Sequence, residues 1–539
     1  MIPQDFLKAV AAERSVSDSE IEVLSHALAG ESITTIATNL DIRPEAVRKR
    51  LGEVYKKFHI GGAGPGKLAK LQQILVTKYQ EHTRGEYSNS LLPNSVENTP
   101  EEIIATAGTF PRRQDWGEAP DVSIFYGRTN ELATLEEWIV KDSCRLVAIL
   151  GMVGIGKTAL SVRCCHQIKE EFDYVIWRSL RHAPPIKELL DNLIQFLSHR
   201  QISYPLADIN DKISQVISLF RKYRCLLVLD SVETILQSGE LAGCYRSGYE
   251  GYGDLFKRIG EEPHNSCLML TSLEKPNEIA IMEGKNMPVR SLELGDLQRE
   301  EAWEIFQSKG LAEEEKWERL IELYRGNPLA LKIVATTIRE LFGGKVSEFI
   351  KQGTLVFGDI STLLEGQFMR LSPIEQEILY WLAIARKPVS LPELRENMLL
   401  PISQRELLEA VASLGRRSLI EKIPGNEAVF SLQPAVMEYV TNHFIEQICN
   451  EIREVFKTKK PEKFVLFRSH AIIQPKADEK IKDEQKRYLL TPILERLRRI
   501  FRSESKIEEY LTQIQTLLQV EPPLEVGYAS NNIQTLGIR

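Results

Sequence analysis

Short apolar runs alternate with helical periodicity between residues 122 and 276. The segments between the runs carry apolar residues at helical spacing, so the pattern predicts strand–helix repeats. Such repeats build a parallel sheet that is covered by helices on both faces. The predicted strands are Cys144–Leu150, Tyr174–Arg178, Cys225–Asp230 and Cys267–Thr271.

The remaining segments have mainly helical patterns. After several helices, two further short strands are predicted at Leu419–Lys422 and Ala428–Leu432, around a turn at Pro424–Asn426. A polar stretch rich in Pro, Asn, Ser and Gly is typical of a linker. The predicted fold class is a multidomain α/β plus α protein. Its predicted segments are helical residues 1–80, linker 81–120, α/β domain 121–276, helical domain 277–355, mixed domain 356–445 and helical residues 446–539.

Composition narrows the class of protein. The 539 residues carry a formal net charge of −7, which does not indicate a chain dedicated to coating nucleic acid. The sequence contains no apolar run of the roughly 18–20 residues that a membrane helix needs, and no secretory signal. The seven cysteines are scattered without metal-binding spacing, and their odd number argues against a disulfide framework. We expect a cytoplasmic protein without a membrane partner.

The stretch GMVGIGKTAL follows the first predicted strand and precedes a predicted helix. Its glycines allow backbone N–H groups to point at phosphate, and the helix N-terminus also favours an anion. Lys157 is expected to reach the β- and γ-phosphates, and the Thr158 hydroxyl to bind Mg²⁺. The loop therefore predicts a nucleotide site. Its expected binding residues are Gly151, Val153, Gly154, Ile155, Gly156, Lys157, Thr158 and Ala159.

A candidate metal-binding carboxylate lies at the end of another predicted strand. Asp230 ends the apolar run CLLVLD, where it can hold the Mg²⁺ that Thr158 also binds. Ser231 follows, and a serine is a poor general base at neutral pH. Glu233 is the candidate for positioning a water molecule; the alternative is that it is a loop glutamate exposed to solvent.

Several motifs together resemble the NB-ARC domains of STAND-class signalling NTPases: FYGRTNEL, ILGMVGIGKTAL, LLVLDSVE, LMLTSLEKP and YRGNPLALKIVA. The resemblance extends from about Asp121 to Val440. It implies a nucleotide domain, a helical domain at 277–355 and a winged-helix domain at 356–445 that close around ADP. It also implies that exchange for ATP opens the domains and permits homo-oligomerisation.

The same resemblance implies further binding residues. Tyr126, Gly127 and Arg128 are expected to lie against the adenine and ribose. Pro328, followed by Leu329, is expected to pack on the adenine, although Pro328 also suits the first turn of a helix after Asn327. Gln433 occupies the position of a histidine that contacts the β-phosphate in this class.

This sequence departs from the NB-ARC pattern where a third phosphate is sensed. In the family, an arginine follows the strand that comes after the metal-binding acid. At that place this chain has Thr271, Ser272 and Leu273. Lys275 is close by but lacks the planar fork of a guanidinium. With Ser231 and the uncharged Gln433, this predicts at most a slow Mg²⁺-dependent ATPase that binds ADP and ATP.

The first eighty residues contain a second resemblance, to LuxR-type helix-turn-helix domains. The three helices are predicted at Asp18–Ala29, Ile33–Leu40 and Pro44–Phe58, with Asp41 and Ile42 in the turn. Basic residues on or beside the third helix suit either DNA or a protein partner, and both alternatives stay open. These residues are Arg43, Arg48, Lys49, Arg50, Lys56 and Lys57.

The two alternatives for residues 1–80 lead to two hypotheses of function. The first is a signalling switch whose N-terminal domain recruits an effector. The second is a nucleotide-gated transcription regulator. Relatives of this layout continue into repeat domains that sense a ligand, so either a sensor is absent here or the helical residues 457–520 serve as the sensing or docking surface.

Overall fold

The computed structural model describes residues 14, 16–28, 33–40, 42–58, 71, 113–198, 208–400, 402–425, 427–519, 522 and 526–537. Ala29, Asp41, Asn426 and most of the predicted linker lie outside these residues. The chain divides into two compact units, residues 1–108 and 109–539, which are described separately below.

The described residues of the first unit form three short helices around a small apolar core. Val23, Ile36, Val47 and Leu51 are buried together in this core. The third helix begins at Pro44, where the fixed φ of proline suits a first helical turn. The helices are α1 (Asp18–Leu28), α2 (Ile33–Asn39) and α3 (Pro44–Lys57).

The second unit begins with a six-stranded sheet in the order β1-β3-β4-β5-β2-β6, and every pairing is parallel. This confirms the predicted fold class, with helices on both faces of a parallel sheet. The strands are β1 (Arg113–Asp115), β2 (Leu146–Leu150), β3 (Tyr174–Ser179), β4 (Cys225–Asp230), β5 (Cys267–Ser272) and β6 (Val289–Glu293). The helices between them are α4 (Thr129–Glu136), α5 (Lys157–Ile168), α6 (Ile186–Leu197), α7 (Ile209–Lys222), α8 (Gly251–Glu261) and α9 (Asn277–Met282).

The apolar strands form two cores, one on each face of the sheet. Leu146, Ala148 and Leu150 of β2 join one core, whereas the alternate residues Val147 and Ile149 join the other. Successive side chains of a strand point to opposite faces, so a strand buried on both sides is apolar throughout. This is why the central strands were predictable from short apolar runs.

Two edge strands correct the sequence interpretation. β1 lies inside the segment 81–120 that was predicted to be a linker, and β6 lies inside the segment 277–355 that was predicted to be helical. Each has a single partner strand, and neither is continuously buried. Their polar residues therefore gave no apolar run. The sheet extends at least from Arg113 to Glu293, beyond the predicted boundaries 121 and 276.

The segment after β6 is helical as far as residue 350. A capping box at Gln298 and Glu301 begins its first helix, and Gly310 ends that helix in the left-handed conformation. The helices are α10 (Arg299–Lys309), α11 (Trp317–Tyr324), α12 (Pro328–Phe342) and α13 (Val346–Ile350).

The next segment combines helices with a three-stranded antiparallel sheet in the order β7-β9-β8. The two later strands correspond to the predicted pair, shifted by one or two residues at their ends. The elements are α14 (Gly358–Phe368), α15 (Pro373–Ala385), β7 (Val389–Ser390), α16 (Leu391–Asn397), α17 (Gln404–Arg416), β8 (Glu421–Ile423), β9 (Val429–Ser431) and α18 (Pro434–Thr458).

The remaining described residues are helical, as the pattern predicted. Their helices are α19 (Leu466–Ser469), α20 (Glu479–Gln485), α21 (Thr491–Phe501), α22 (Glu504–Leu518) and α23 (Ala529–Gly537). One apolar core runs from Leu297 to Leu536 and also contains Met152, which belongs to the loop after β2. That loop is therefore anchored in the core of the later segments.

Short irregular helical turns complete the second unit. Four are 3-10 turns and two are π-helical turns. They are Glu137–Lys141, Lys169–Glu171, Val232–Ile235, Glu314–Lys316, Pro461–Lys463 and Lys486–Leu490.

All seven cysteines are free, as their scattered positions predicted. Within the described part of the chain, none of the helices has both the length and the apolar character needed to span a membrane.

Candidate nucleotide-binding site

The loop between β2 and α5 has the backbone that its glycines permit. Gly151, Gly154 and Gly156 have φ angles of 142°, 78° and 102°. A Cβ on Gly154 would lie 2.8 Å from Leu329 Cβ, and one on Gly151 would lie 2.9 Å from the Leu294 carbonyl oxygen. Side chains are therefore excluded by conformation and by space, and the backbone is left accessible to a ligand.

Lys157 begins α5 and folds over the loop. Its ammonium donates hydrogen bonds to the carbonyls of Gly151 at 2.8 Å and Met152 at 2.9 Å. Burial lowers the pKa of Lys157 to about 8, while the nearby carboxylates of Glu233 and Asp230 oppose this shift. A desolvated ammonium at the start of a helix is suited to bind phosphate.

Asp230 is buried at the end of β4 and accepts three hydroxyl hydrogen bonds. Thr158 Oγ1 donates to Oδ1 at 2.6 Å, and Thr271 Oγ1 donates to the same oxygen at 2.8 Å. Ser231 Oγ donates to Oδ2 at 3.2 Å. The predicted Mg²⁺ residues, Thr158 and Asp230, are thus in direct contact. Hydroxyl and carboxylate oxygens are the donors that Mg²⁺ prefers, with phosphate and water supplying its other ligands, so the donor set fits this ion.

Glu233 lies on the 3-10 turn Val232–Ile235 that follows Asp230. Its carboxylate accepts a hydrogen bond from the Leu273 amide at 3.2 Å. Burial raises its pKa, and the ammonium of Lys157 is the largest influence in the opposite direction. The carboxylate is therefore close to the phosphate-binding lysine and not a freely solvated loop group. Its role in positioning water remains a prediction.

Helix α12 contacts the phosphate loop directly. Asn327 Nδ2 donates to the Val153 carbonyl at 3.0 Å, and the Leu329 amide donates to the Gly154 carbonyl at 3.3 Å. Asn327 Oδ1 also caps α12 by accepting from the Leu329 and Ala330 amides, each at 3.2 Å. The ring of Pro328 lies beside Gly156, since a Cβ built there would be 4.0 Å from Pro328 Cγ. The helical segment therefore brings Pro328 and Leu329 to the loop.

Arg128 stabilises the phosphate loop through hydrogen bonds to backbone carbonyls. Its buried guanidinium donates to the carbonyls of Gly295 at 2.7 Å, Ile155 at 3.2 Å and Asp296 at 3.3 Å, and it pairs with Glu131 at 2.7 Å. These bonds tie the phosphate loop to the chain that leads from β6 into α10. The guanidinium is occupied by protein groups, so any contact with ribose would come from the backbone.

The two residues before Arg128 also contact the helical segment. Tyr126 Oη donates to Ser308 Oγ at 3.3 Å, and Lys332 Nζ lies 5.3 Å from the centre of the Tyr126 ring. Gly127 has a φ of 60°, and a Cβ there would overlap the Glu301 carboxylate. The predicted adenine-side residues therefore lie at the boundary between the sheet and α10. Their contact with nucleotide remains a prediction.

Lys275 and Gln433 are the two other residues that the sequence analysis considered as phosphate contacts. Lys275 Nζ pairs with Glu283 at 2.9 Å and lies 3.6 Å from Glu293, so it is committed to carboxylates and is a poor substitute for the missing arginine. Gln433 precedes α18 and is half-buried. Its backbone carbonyl accepts a hydrogen bond from the Met437 amide at 2.8 Å. The contact of Gln433 with phosphate stays a prediction.

A buried ion network that the sequence analysis missed joins the sheet to residues 356–445. Glu274, just after β5, pairs with Arg370 and with Arg417, the latter at 2.6 Å. Arg417 also pairs with Glu375 at 3.1 Å, and the side chains of Glu274, Glu375 and Arg417 are at most 2% exposed. Arg370 further donates to the Glu233 carbonyl at 2.7 Å. The members are far apart in sequence, so no local pattern could have identified them.

The predicted basic surface of the first unit is partly paired within the unit. Lys56 pairs with Glu53 at 2.7 Å, and Arg50 Nη1 donates to the Ser19 carbonyl at 3.5 Å. Arg43, Arg48 and Lys49 are exposed. Lys56 is exposed as well, despite its pair with Glu53, so these four described cations are accessible on or beside α3.

A sequence profile matches the part of the chain that contains this site. Residues 128–251 match the profile of the NB-ARC domain. The match includes the phosphate loop, Lys157 and Asp230, and it supports nucleotide binding at this site.

Two curated proteins resemble longer parts of the chain. An uncharacterized WD repeat-containing protein of Nostoc sp. is 44% identical over 461 residues, which cover 78% of this chain and 36% of that protein. A probable disease resistance protein of Arabidopsis thaliana is 23% identical over 234 residues, covering 41% of this chain and 30% of that protein. The chain therefore spans about a third of the length of each relative.

Two solved structures matched by the comparison share little sequence with this chain. A Walker-type ATPase of Pyrococcus abyssi has a TM-score of 0.42 at 16% identity, covering 59% of this chain and 96% of that one. A STAND protein of Pyrococcus horikoshii with a tetratricopeptide repeat sensor has a TM-score of 0.31 at 19% identity, covering 76% of this chain and 56% of that one.

Proposed function

We propose that this protein is a signalling switch of the STAND class that binds ADP or ATP together with Mg²⁺. ADP holds a closed resting state, and exchange for ATP opens the domains and permits homo-oligomerisation. Residues 1–80 then recruit a protein partner or DNA. The NB-ARC match supports nucleotide binding, and the similarity to a probable disease resistance protein is consistent with a signalling role.

The observation that carries the proposal is the set of contacts around the phosphate loop. Asn327 and Leu329 bond to the loop from the start of α12, while Arg370 donates to the Glu233 carbonyl and pairs with Glu274 after β5. The site is therefore assembled from the sheet and from two later segments. A ligand at such a junction has different contacts when the segments separate, which is the condition for switching a two-state equilibrium.

The contacts indicate a role for each residue of the site. Lys157 and the loop amides bind the phosphates, and Thr158 and Asp230 hold Mg²⁺, which supplies positive charge to the phosphate oxygens. Pro328 covers the side of the site formed by α12. Ser231 and Leu273 provide neither a general base nor a cation, so we expect hydrolysis to be far slower than the ~1–100 s⁻¹ of typical turnover enzymes.

Nucleotide binding is tested with the purified full chain. We expect ADP to copurify with it or to bind in calorimetry in the presence of Mg²⁺. Lys157→Ala should abolish binding because the loop then lacks its phosphate-binding cation. Arg221→Ala is the matched control and should bind normally, because Arg221 is exposed and precedes the start of β4, whereas the site is at the end of that strand. A wild-type chain that neither retains nor binds ADP would refute the proposal.

A second candidate function is a nucleotide-gated transcription regulator. The exposed Arg43, Arg48 and Lys49 beside α3 favour it, because an accessible basic helix suits phosphate and base-edge contacts. A salt-sensitive gel shift that is lost in Arg48→Ala but retained in Arg221→Ala, an exposed cation of the second unit, would support this candidate. Failure to bind DNA at low salt would leave the protein-recruiting switch.

A further inference from the structure

Arg181 lies at the end of β3, next to the strand that carries the candidate metal-binding carboxylate. β3 and β4 pair in parallel, with Ser179 beside Asp230 in the register. Arg181 Nε is 4.0 Å from Asp230 Oδ2, and the arginine side chain is 65% exposed. The other oxygen, Oδ1, accepts from Thr158 and Thr271. Arg181 therefore approaches the side of Asp230 that these two threonines leave open.

Other cations near this end of the sheet are held by closer partners. Lys157 is bonded to loop carbonyls, and Lys275 is paired with Glu283. Arg178, three residues before Arg181, pairs with Asp115 at 2.6 Å. Arg128 and Arg370 are bonded to backbone carbonyls and carboxylates, and Arg246 donates to the Thr234 carbonyl at 3.0 Å. The Arg181 guanidinium, by contrast, lies 4.0 Å from its carboxylate partner, which is beyond hydrogen-bonding distance.

The charge around the site creates a need for a further cation when ATP binds. The carboxylates of Asp230, Glu233 and Glu293 surround the single ammonium of Lys157. ATP carries about one more negative charge than ADP, and this charge is on the terminal phosphate. Mg²⁺ offsets part of this charge, and a further cation beside the terminal phosphate would reduce its repulsion by the nearby carboxylates.

The position of Arg181 suits this requirement. β4 is flanked by β5 on one side and by β3 on the other. Leu273 follows β5, where an arginine was expected from the sequence resemblance. A long side chain from the end of β3 reaches the same metal-binding carboxylate from the opposite flank. Because the side chain is largely exposed, it can reorient toward a ligand without breaking a buried contact.

We propose that Arg181 binds the terminal phosphate of ATP and so distinguishes ATP from ADP, a role for which Leu273 lacks the side chain. This inference rests on the proposed nucleotide switch and assigns its discrimination to a residue of β3. A guanidinium can donate two parallel hydrogen bonds to phosphate oxygens, which a lysine cannot do in the same geometry.

The test compares two ligands on the full chain by titration calorimetry with Mg²⁺ present: ADP and a non-hydrolysable ATP analogue. Arg181→Ala should weaken the analogue roughly 10- to 100-fold, as expected for losing charge-assisted hydrogen bonds, and change ADP affinity less than about threefold. Arg181→Lys should recover part of the lost affinity. Arg221→Ala, in the same domain but near the start of β4 and not at its end, should leave both affinities unchanged.

The outcomes separate this inference from the proposed function. Equal losses for both ligands in Arg181→Ala would show that Arg181 only balances the charge of Asp230, and unchanged affinities would show that it is a surface residue. Either result would overturn the inference while ADP binding upheld the switch. If the wild type bound neither ligand, the proposed function would fail, and the role of Arg181 with it.

Discussion

At Lys157, burial disfavours the charged ammonium, while nearby carboxylates favour it. Its ammonium is enclosed by the phosphate loop, and this desolvation lowers its pKa from 10.5 to about 8. A lowered pKa means that the folded chain binds this proton less tightly than the unfolded chain. The cost of burying the charged lysine is therefore fully present below about pH 8 and is lost as the pH rises towards 10.5.

This opposition predicts a pH-dependent difference between the wild type and Lys157→Met. Between pH 7 and pH 10.5, the nucleotide-free wild type should gain roughly 3 kcal/mol of unfolding free energy relative to the variant. Urea denaturation of both proteins at the two pH values measures this difference, and the variant cancels the titration of all other groups. A difference that is the same at both pH values would contradict the burial described here.

At the scale of single residues, the phosphate-loop residues were predictable from sequence because they belong to one compact motif. The Gly-rich stretch, Lys157 and Thr158 are contiguous, and Asp230 ends an apolar strand. The position of the Arg128 guanidinium was not predictable, because its acceptors at Ile155, Gly295 and Asp296 come from three parts of the fold. Such a residue has no local signature that distinguishes bracing from binding.

At the scale of elements, the buried ion network joins the end of β5 to α15 and to the end of α17. Glu274 and Glu375 share Arg417, and none of the three is accessible to solvent. Burial raises the pKa of Glu274, with Arg417 and Arg370 opposing the shift. Removing one member of a buried ion pair leaves an uncompensated charge, which is strongly destabilising.

We therefore predict that Arg417→Ala weakens the attachment of residues 356–445 to the sheet by about 3–5 kcal/mol. The measurements are the free energy of unfolding and the rate of limited proteolysis between the two segments. Arg405→Ala is the matched control, because Arg405 forms an exposed pair with Glu409 on the same helix, and exposed pairs contribute little to stability. Equal effects of the two substitutions would show that the network does not hold the segments together.

Prediction of elements from sequence succeeded where strands are buried on both faces. β4 was predicted with its observed bounds, because CLLVLD is apolar up to its last residue. β1 and β6 were missed, since edge strands with one partner keep polar residues and resemble loops. Edge pairing depends on the neighbouring strand, which a local pattern does not contain.

At the scale of the whole molecule, the order of segments was readable from sequence, but the contacts between segments were not. Motif order predicted a nucleotide domain followed by helical and mixed segments. The bonds from Asn327 to the phosphate loop and from Arg417 to Glu274 depend on how those segments pack. They make the nucleotide site a junction, and a junction is what a switch requires.

Energetics set a condition on the switch. To move an equilibrium from 1:99 to 99:1, a ligand must favour one state by about 10⁴-fold, or roughly 5.5 kcal/mol. Breaking the buried network is expected to cost about 3–5 kcal/mol, so a difference of this size can be held at the junction. The proposed switch therefore requires ADP and ATP to differ in how far they stabilise the closed arrangement.

The most direct test of this account is the mass of the full-length particle, measured by analytical ultracentrifugation with Mg²⁺ and either ADP or a non-hydrolysable ATP analogue. Lys157→Ala serves as the control that binds neither nucleotide. The account predicts a single-chain particle of about 61.4 kDa with ADP and a larger homo-oligomer with the analogue. The same mass with both nucleotides, in a chain that demonstrably binds them, would contradict it.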